Sequence, residues 1–88
     1  MKLCGEFVVR QIMDSIVAVP VGQTALRLNG MILLNDVSKV IWECLEQNTD
    51  QTAIVTAVTD AFEVSTEEAA ADIAEFLEKL RSAGLLEE

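Results

Sequence analysis

The chain has no histidine, two cysteines, one proline and six lysines and arginines in total. Without histidine, the usual Ser-His and Cys-His nucleophile pairs are closed, because a hydroxyl or thiol needs a base beside it. Cys4 and Cys44 stand far apart with no CxxC, whereas a zinc site gathers several Cys or His ligands at close spacing. No metal and no cofactor is expected. The two thiols read as free, which fits a reducing, cytoplasmic setting. The opening MKLCGEF holds no long apolar run and reaches Glu6 early, so neither a secretory signal nor a membrane span is expected. Cys4 lacks the apolar stretch that precedes a lipoprotein cysteine and reads as a free thiol near a loose terminus. Six basic residues against fifteen acidic ones give a formal net charge of −9. That balance repels phosphate backbones and favours solubility and cationic partners.

What is present is globular in character. The chain is 51% hydrophobic and 24% charged, ordinary values for a packed domain. Its 88 residues point to a single domain, 1–88. A domain of this size buries roughly 60–65% of the surface its unfolded chain exposes. There is room for one small core and a surface groove, and little for a deep catalytic cavity. Composition changes near Asn35. Before it lie Val, Ile and Met, the only proline and three of the four glycines; after it come Ala, Glu, Leu and Asp. Strands first and helices second make an α+β fold.

Three strands are expected. FVVRQIM (Phe7 to Met13) alternates imperfectly, Asp14-Ser15 offers a tight turn, and IVAVPV (Ile16 to Val21) comes next. Pro20 cannot donate a ladder hydrogen bond and belongs at a strand end or edge. GQTALRLNG (Gly22 to Gly30) reads as a polar connection that closes on the turn-type pair Asn29-Gly30. MILL (Met31 to Leu34) is the third strand. Connections this short require an antiparallel sheet.

Three helices complete the chain. Asn35 or Asp36 caps the first, to about Gln47, with Val37, Val40, Ile41, Cys44 and Leu45 on one face and Trp42 at its edge. Thr49 or Asp50 caps the second, with Ile54, Val55, Val58 and Phe62 on one side. Ser65-Thr66-Glu67-Glu68 reads as a capping box for the third, in which Ser65 and Glu68 serve each other's backbone N–H. Ile73, Phe76, Leu77 and Leu80 form its core stripe. Lys79 and Arg81 suit its C-terminal dipole. Gly84 is a fitting residue just past its end, and Leu85-Leu86 can fold back onto the core.

Little of this carries catalytic chemistry. Glu67, Glu68, Asp72, Glu75 and Glu78 crowd one helix and read as a solvated acidic face. Cys44, on an apolar helix face, reads as a small buried hydrophobe. Asp14-Ser15-Ile16 is similar to the acyl-carrier triplet whose serine holds phosphopantetheine, but it lies between strand-like segments rather than at a helix start. The strand-then-helix order also fits a winged helix-turn-helix, a fold that often binds DNA; yet the would-be recognition helix offers only Lys79 and Arg81 as cations, and phosphate contacts depend on Lys and Arg. What remains is the bare strand MILL. At a sheet edge it would offer free N–H and C=O groups to a guest strand; covered by helices it would be ordinary core. Met31 and Leu33 occupy one of its faces, Ile32 and Leu34 the other.

The order IVAVPVG, LNGMILLNDVSKVIWECLEQ and EVSTEEAAADIAEFLEKLRSAGLL resembles the PqqD family from about Phe7 to Leu86. The family often reads Asn-Glu-Thr-Gly after the strand, where this chain has Asn35-Asp36-Val37-Ser38. The resemblance implies a winged-helix-like peptide-binding domain, a RiPP recognition element. Such a domain binds the leader of a ribosomally made precursor peptide by strand addition and presents it to a modifying enzyme, commonly a radical SAM protein. Carried onto this sequence, it implies a peptide site on Gly30, Met31, Ile32 and Leu33, with the third helix alongside. Of that helix's two flanks, Asp72, Phe76 and Lys79 are preferred to Ala70, Ala74 and Arg81. Ile32 and Leu34 should then enter the core while Met31, Leu33 and the free backbone meet the guest.

The reading is a non-catalytic leader-peptide chaperone with no nucleic-acid or membrane partner, whose acidic face could dock a basic leader or the modifying enzyme. A DNA-binding winged-helix regulator is the alternative, and an acyl carrier a more distant one. The apolar edge could also pair with a second copy as a homodimer.

Overall fold

In a computed structural model, residues 1–28 and 30–88 are described; Asn29, half of the expected Asn29-Gly30 turn, lies outside them. The chain is α+β. Its elements run β1 (Lys2–Leu3), β2 (Phe7–Ile12), β3 (Ser15–Pro20), α1 (Gln23–Arg27), β4 (Ile32–Leu34), α2 (Asp36–Leu45), α3 (Gln51–Ala61), α4 (Thr66–Ser82) and β5 (Leu86–Glu87). The three expected strands form an antiparallel sheet of order β2-β3-β4. The register places Phe7 opposite Pro20, Ile12 opposite Ser15, and Ile16, Val17 and Ala18 opposite Leu34, Leu33 and Ile32.

Several expectations need correction. The hairpin turns on Met13-Asp14 and not Asp14-Ser15, since Ser15 already pairs with Ile12. Met13, placed in the strand by its hydrophobicity, takes a left-handed φ of 57° in the turn. The polar connection contains a short helix, α1, so the described residues hold four helices rather than three. Thr24 explains its position: buried in α1, it accepts the Glu6 N–H through Oγ1 at 2.8 Å. Gly5 allows the approach, because a Cβ there would lie 2.8 Å from that oxygen.

The terminus around Cys4 is not loose. β1 pairs antiparallel with β5, and the Cys4 N–H donates to the Leu85 carbonyl at 2.8 Å. Leu86 does more than fold back onto the core: it is a strand residue opposite Leu3. Lys2, Leu3, Leu86 and Glu87 make too short a pattern to separate from coil by periodicity.

The core sits between the sheet and α2, α3 and α4. Leu34, Ile41, Trp42, Leu45, Ile54, Val58, Ala69, Ile73, Leu77 and Leu80 are all buried in one cluster. Burial on α2 centres on Ser38, Ile41, Trp42 and Leu45, so the helix is rotated from the expected face. Trp42 does not cover an edge: it is 1% exposed and meets the Phe7 ring edge-on at 5.1 Å. Val37, Val40 and Cys44 are half-buried instead. Burial, and after it the Glu43 charge, pushes the Cys44 thiol pKa up from its ordinary value.

Candidate functional site: a groove beside a free strand edge

β4 is positioned by the helix cap at its end. Leu34 is the last strand residue and Asn35 caps α2 at once. The Ser38 N–H donates to Asn35 Oδ1 at 2.8 Å, and the Asn35 N–H donates back to Ser38 Oγ at 2.7 Å. This reciprocal cap satisfies two helix-start donors and buries Ser38 without an orphaned polar atom. At Ser65 the expected box is only half formed: the Glu68 N–H donates to Ser65 Oγ at 3.1 Å, with no return bond from the Glu68 side chain.

Within its sheet β4 pairs with β3 alone, so its far edge carries ladder groups without a strand partner. Side-chain alternation sorts its residues. Leu34 is buried and Ile32 half-buried against the core, whereas Leu33 is 70% and Met31 55% exposed. Gly30, at φ 90°, and Met31 lead into the strand.

Beside this edge lies a groove of about 410 Å³. Ile32 and Leu33 form one side; Asp72, Glu75, Phe76 and Lys79 line the other; Val37, Ile41, Leu80 and Leu85 contribute apolar surface. The rotation of α4 makes this wall. Ala69, Ile73, Leu77 and Leu80 are buried, so Asp72, Phe76, Lys79 and Ala83 form the adjacent stripe at 3-4 spacing. Phe76 is therefore half-buried, not a full member of the core stripe. The end of α4 is equally determined. Gly84 at φ 73° lets the Leu85 N–H reach the Leu80 carbonyl and its own N–H the Arg81 carbonyl. This Schellman arrangement turns Leu85 under the groove.

The structure therefore brings Ile32, Leu33, Asp72, Phe76 and Lys79 to one hollow, while Gly30 and Met31 stand before the strand and do not line it. On the other flank, Arg81 is held by Glu78 at 2.9 Å and Glu88 at 2.8 Å, and neither it, Ala70 nor Ala74 lines the groove. Sequence reasoning missed Ala83 and the part played by Val37, Ser38 and Ile41. α2 is rotated so that Trp42 turns inward against Phe7, a contact that no local pattern carries.

Among the described residues no three His, Cys, Asp or Glu side chains are placed to hold a metal ion, and no helix is long and apolar enough to cross a membrane.

Among curated proteins, none matches this sequence. A solved structure described as TbiB1 in complex with the TbiA(beta) leader peptide is similar throughout. It shows 26% identity, a TM-score of 0.73, and coverage of 99% of this chain and 95% of that one. Residues 8–86 match the family described as Coenzyme PQQ synthesis protein D. The chain belongs to the PqqD family.

Proposed function

We propose that this chain is a leader-peptide recognition module with no catalysis of its own. The observation that carries the reading is the free, wholly apolar edge of β4 running beside a groove walled by α4. A guest segment adds to β4 as a further strand. Main-chain hydrogen bonds hold it, and side chains that enter the groove select it. Gly30, Met31, Ile32 and Leu33 contribute from the strand; Asp72, Phe76 and Lys79 contribute from the helix. Residues 1–88 act as one domain. The similar structure, described as a complex with a leader peptide, supports a precursor leader as the guest.

The bound leader is presented to a modifying enzyme, which in this reading is a radical SAM protein. The setting is cytoplasmic. The same edge can take a second copy of the chain, so self-pairing and peptide binding exclude each other at β4.

Titrating the leader peptide encoded beside this gene, while following backbone amide signals, tests the proposal. The Ile32, Leu33 and Leu34 amides are expected to shift and to saturate with the peptide. Saturable binding that leaves these amides unmoved places the site elsewhere and sinks the reading. Retention of duplex DNA in moderate salt would favour the regulator, against the acidic wall of α4. A phosphopantetheine mass gain at Ser15 would favour the carrier.

A further inference from the structure

The groove is not electrically uniform, and its spacing matches that of a strand. Its helical wall runs from Asp72 to Ala83, about three turns of α4 at roughly 1.5 Å per residue, so the groove is drawn out along the helix. Four residues of helix, Asp72 to Phe76, advance about 6 Å. Two residues of strand, from one side chain to the next on the same face, advance about 6.7 Å. A strand lying along α4 therefore meets one helical turn with each side chain of its helix-facing row. The half-buried Phe76 ring offers apolar surface at the centre. Asp72 and Glu75 lie on the α4 N-terminal side of it, and Lys79 lies on the other side, about 4.5 Å farther along the helix axis. All three charged residues are exposed.

A second hollow adjoins the groove at the end of β4, on the side of the β2–β3 turn. It shares Leu33 and Asn35 with the first, and its charged lining is Asp14 and Asp36. The two hollows together are lined by four carboxylates and one ammonium group.

Resting on the reading of this groove as a peptide site, we infer that its guest is a net cationic segment with a fixed charge register. An apolar side chain sits on Phe76. A lysine or arginine two positions away faces Asp72 and Glu75. Two positions the other way, beside Lys79, the guest carries an acidic or neutral residue and excludes a cation. The order of these residues along the guest reports whether it runs with α4 or against it.

The test uses the full 88-residue chain and a displayed library of random 12-residue peptides. Enriched peptides are expected to carry Lys or Arg two positions from a Leu, Ile or Phe. A synthetic peptide of the enriched sequence is then titrated against the wild type, Asp72→Lys and Lys79→Glu. Both substitutions are at exposed positions and leave the core intact. Asp72→Lys should weaken the Lys-bearing peptide roughly three- to tenfold, and replacing that peptide lysine with Glu should restore the loss. Lys79→Glu should remove the exclusion of a cation at its own position and leave the Asp72 position unaffected. Raising salt should reduce all these differences.

Enriched peptides that shift the β4 amides but show no charge register, or a register that Asp72→Lys does not invert, overturn this inference while the peptide site stands. Enrichment of no peptide at all overturns the reading of the groove together with its register.

Discussion

At one edge of the three-stranded sheet, β2 pairs six residues with β3 and presents Arg10 and Gln11 to solvent. At the other, β4 pairs three residues, all of them apolar, and leaves Leu33 exposed. Unpaired strand edges invite another chain, and proteins blunt them with charge, with brevity or with a cover. β2 has its charge in Arg10. β4 has brevity alone. The two edges are also fastened differently. Phe7 at the start of β2 stacks edge-on against the buried Trp42, and the Glu6 carbonyl just before it accepts the Val21 N–H at 3.0 Å. β4 lies between Gly30 and the Asn35 cap, seated by Leu34 in the core cluster, with the groove beside it. The charged edge is thus held at its start by a ring contact, and the apolar edge at its end by the buried Leu34, beside a groove where a ligand could lie.

The most severe way to break this contrast is to remove the anchor. Trp42→Ala deletes a fully buried aromatic side chain and its contact with Phe7; the expected cost is about 3–5 kcal/mol. Small domains are stable by only about 5–15 kcal/mol, so the variant should unfold at much lower denaturant. Leu33→Ala, at the exposed edge, should stay within about 0.5 kcal/mol of the parent. Equal losses from the two substitutions, read by chemical denaturation, would mean that Leu33 is packed as tightly as Trp42 and that β4 is not open.

Next in size is a transfer of β2's guard to β4. Leu33→Lys places a cation on the open edge at a position 70% exposed. The thermal midpoint should hardly move, whereas guest affinity should fall by about 1–2 kcal/mol, from lost apolar cover and a disturbed cross-strand pair. Isothermal titration beside a melting curve measures both. Unchanged affinity would remove β4 from the site.

Much of this contrast is legible in the sequence, and the rest is not, for physical reasons. The 3-4 spacing of α4 and its Ser65 start are legible because long helices repeat their signal. The Asp72, Phe76, Lys79 stripe comes from the family resemblance together with that spacing. Period-two alternation pairs Leu34 with Ile32 and Leu33 with Met31, and the family resemblance supplies which pair turns inward. The rotation of α2 is not legible. Trp42 is buried in the core cluster and meets the ring of Phe7, far away in sequence. The α1 helix escapes notice for a related reason: its five residues are held by Thr24 reaching back to Glu6, and five residues are too few to show a period. The β1–β5 pairing joins Lys2 to Glu87 and Leu3 to Leu86, and only the finished fold brings the two ends together.

A smaller effect should come from removing the guard on the opposite edge. Arg10→Val leaves β2 with no charged residue, since the strand reads Phe7–Ile12 with Arg10 its one charged member. Arg10 is exposed, so stability should stay within about 0.5 kcal/mol. Sedimentation velocity at rising concentration should show more self-association than the parent. No increase over the parent would mean that the charge of Arg10 does not guard this edge.

The contrast extends to the wall of the groove, where α4 shows one flank to β4 and keeps the other to itself. Arg81 donates through Nη2 and Nε to Glu88 at 2.8 and 3.2 Å, and through Nη1 to Glu78 at 2.9 Å. These hydrogen bonds first, and the guanidinium charge second, hold the Glu88 carboxyl below the usual carboxylate range. The sign is set by linkage. A carboxyl whose folded pKa is lowered contributes stability above its ordinary unfolded value and loses that contribution as pH falls through the lowered folded value. Both partners are exposed, so salt and water leave the pair a minor contributor. A side-chain carbonyl titration should place Glu88 below the ordinary glutamate range, and Arg81→Ala should return it towards that range with a barely altered melt. Guest affinity should not respond, because Arg81 lies outside the groove that Lys79 lines. If Arg81→Ala weakens the peptide as much as Lys79→Ala does, the guest covers both flanks, and the stripe beside β4 is not what selects it.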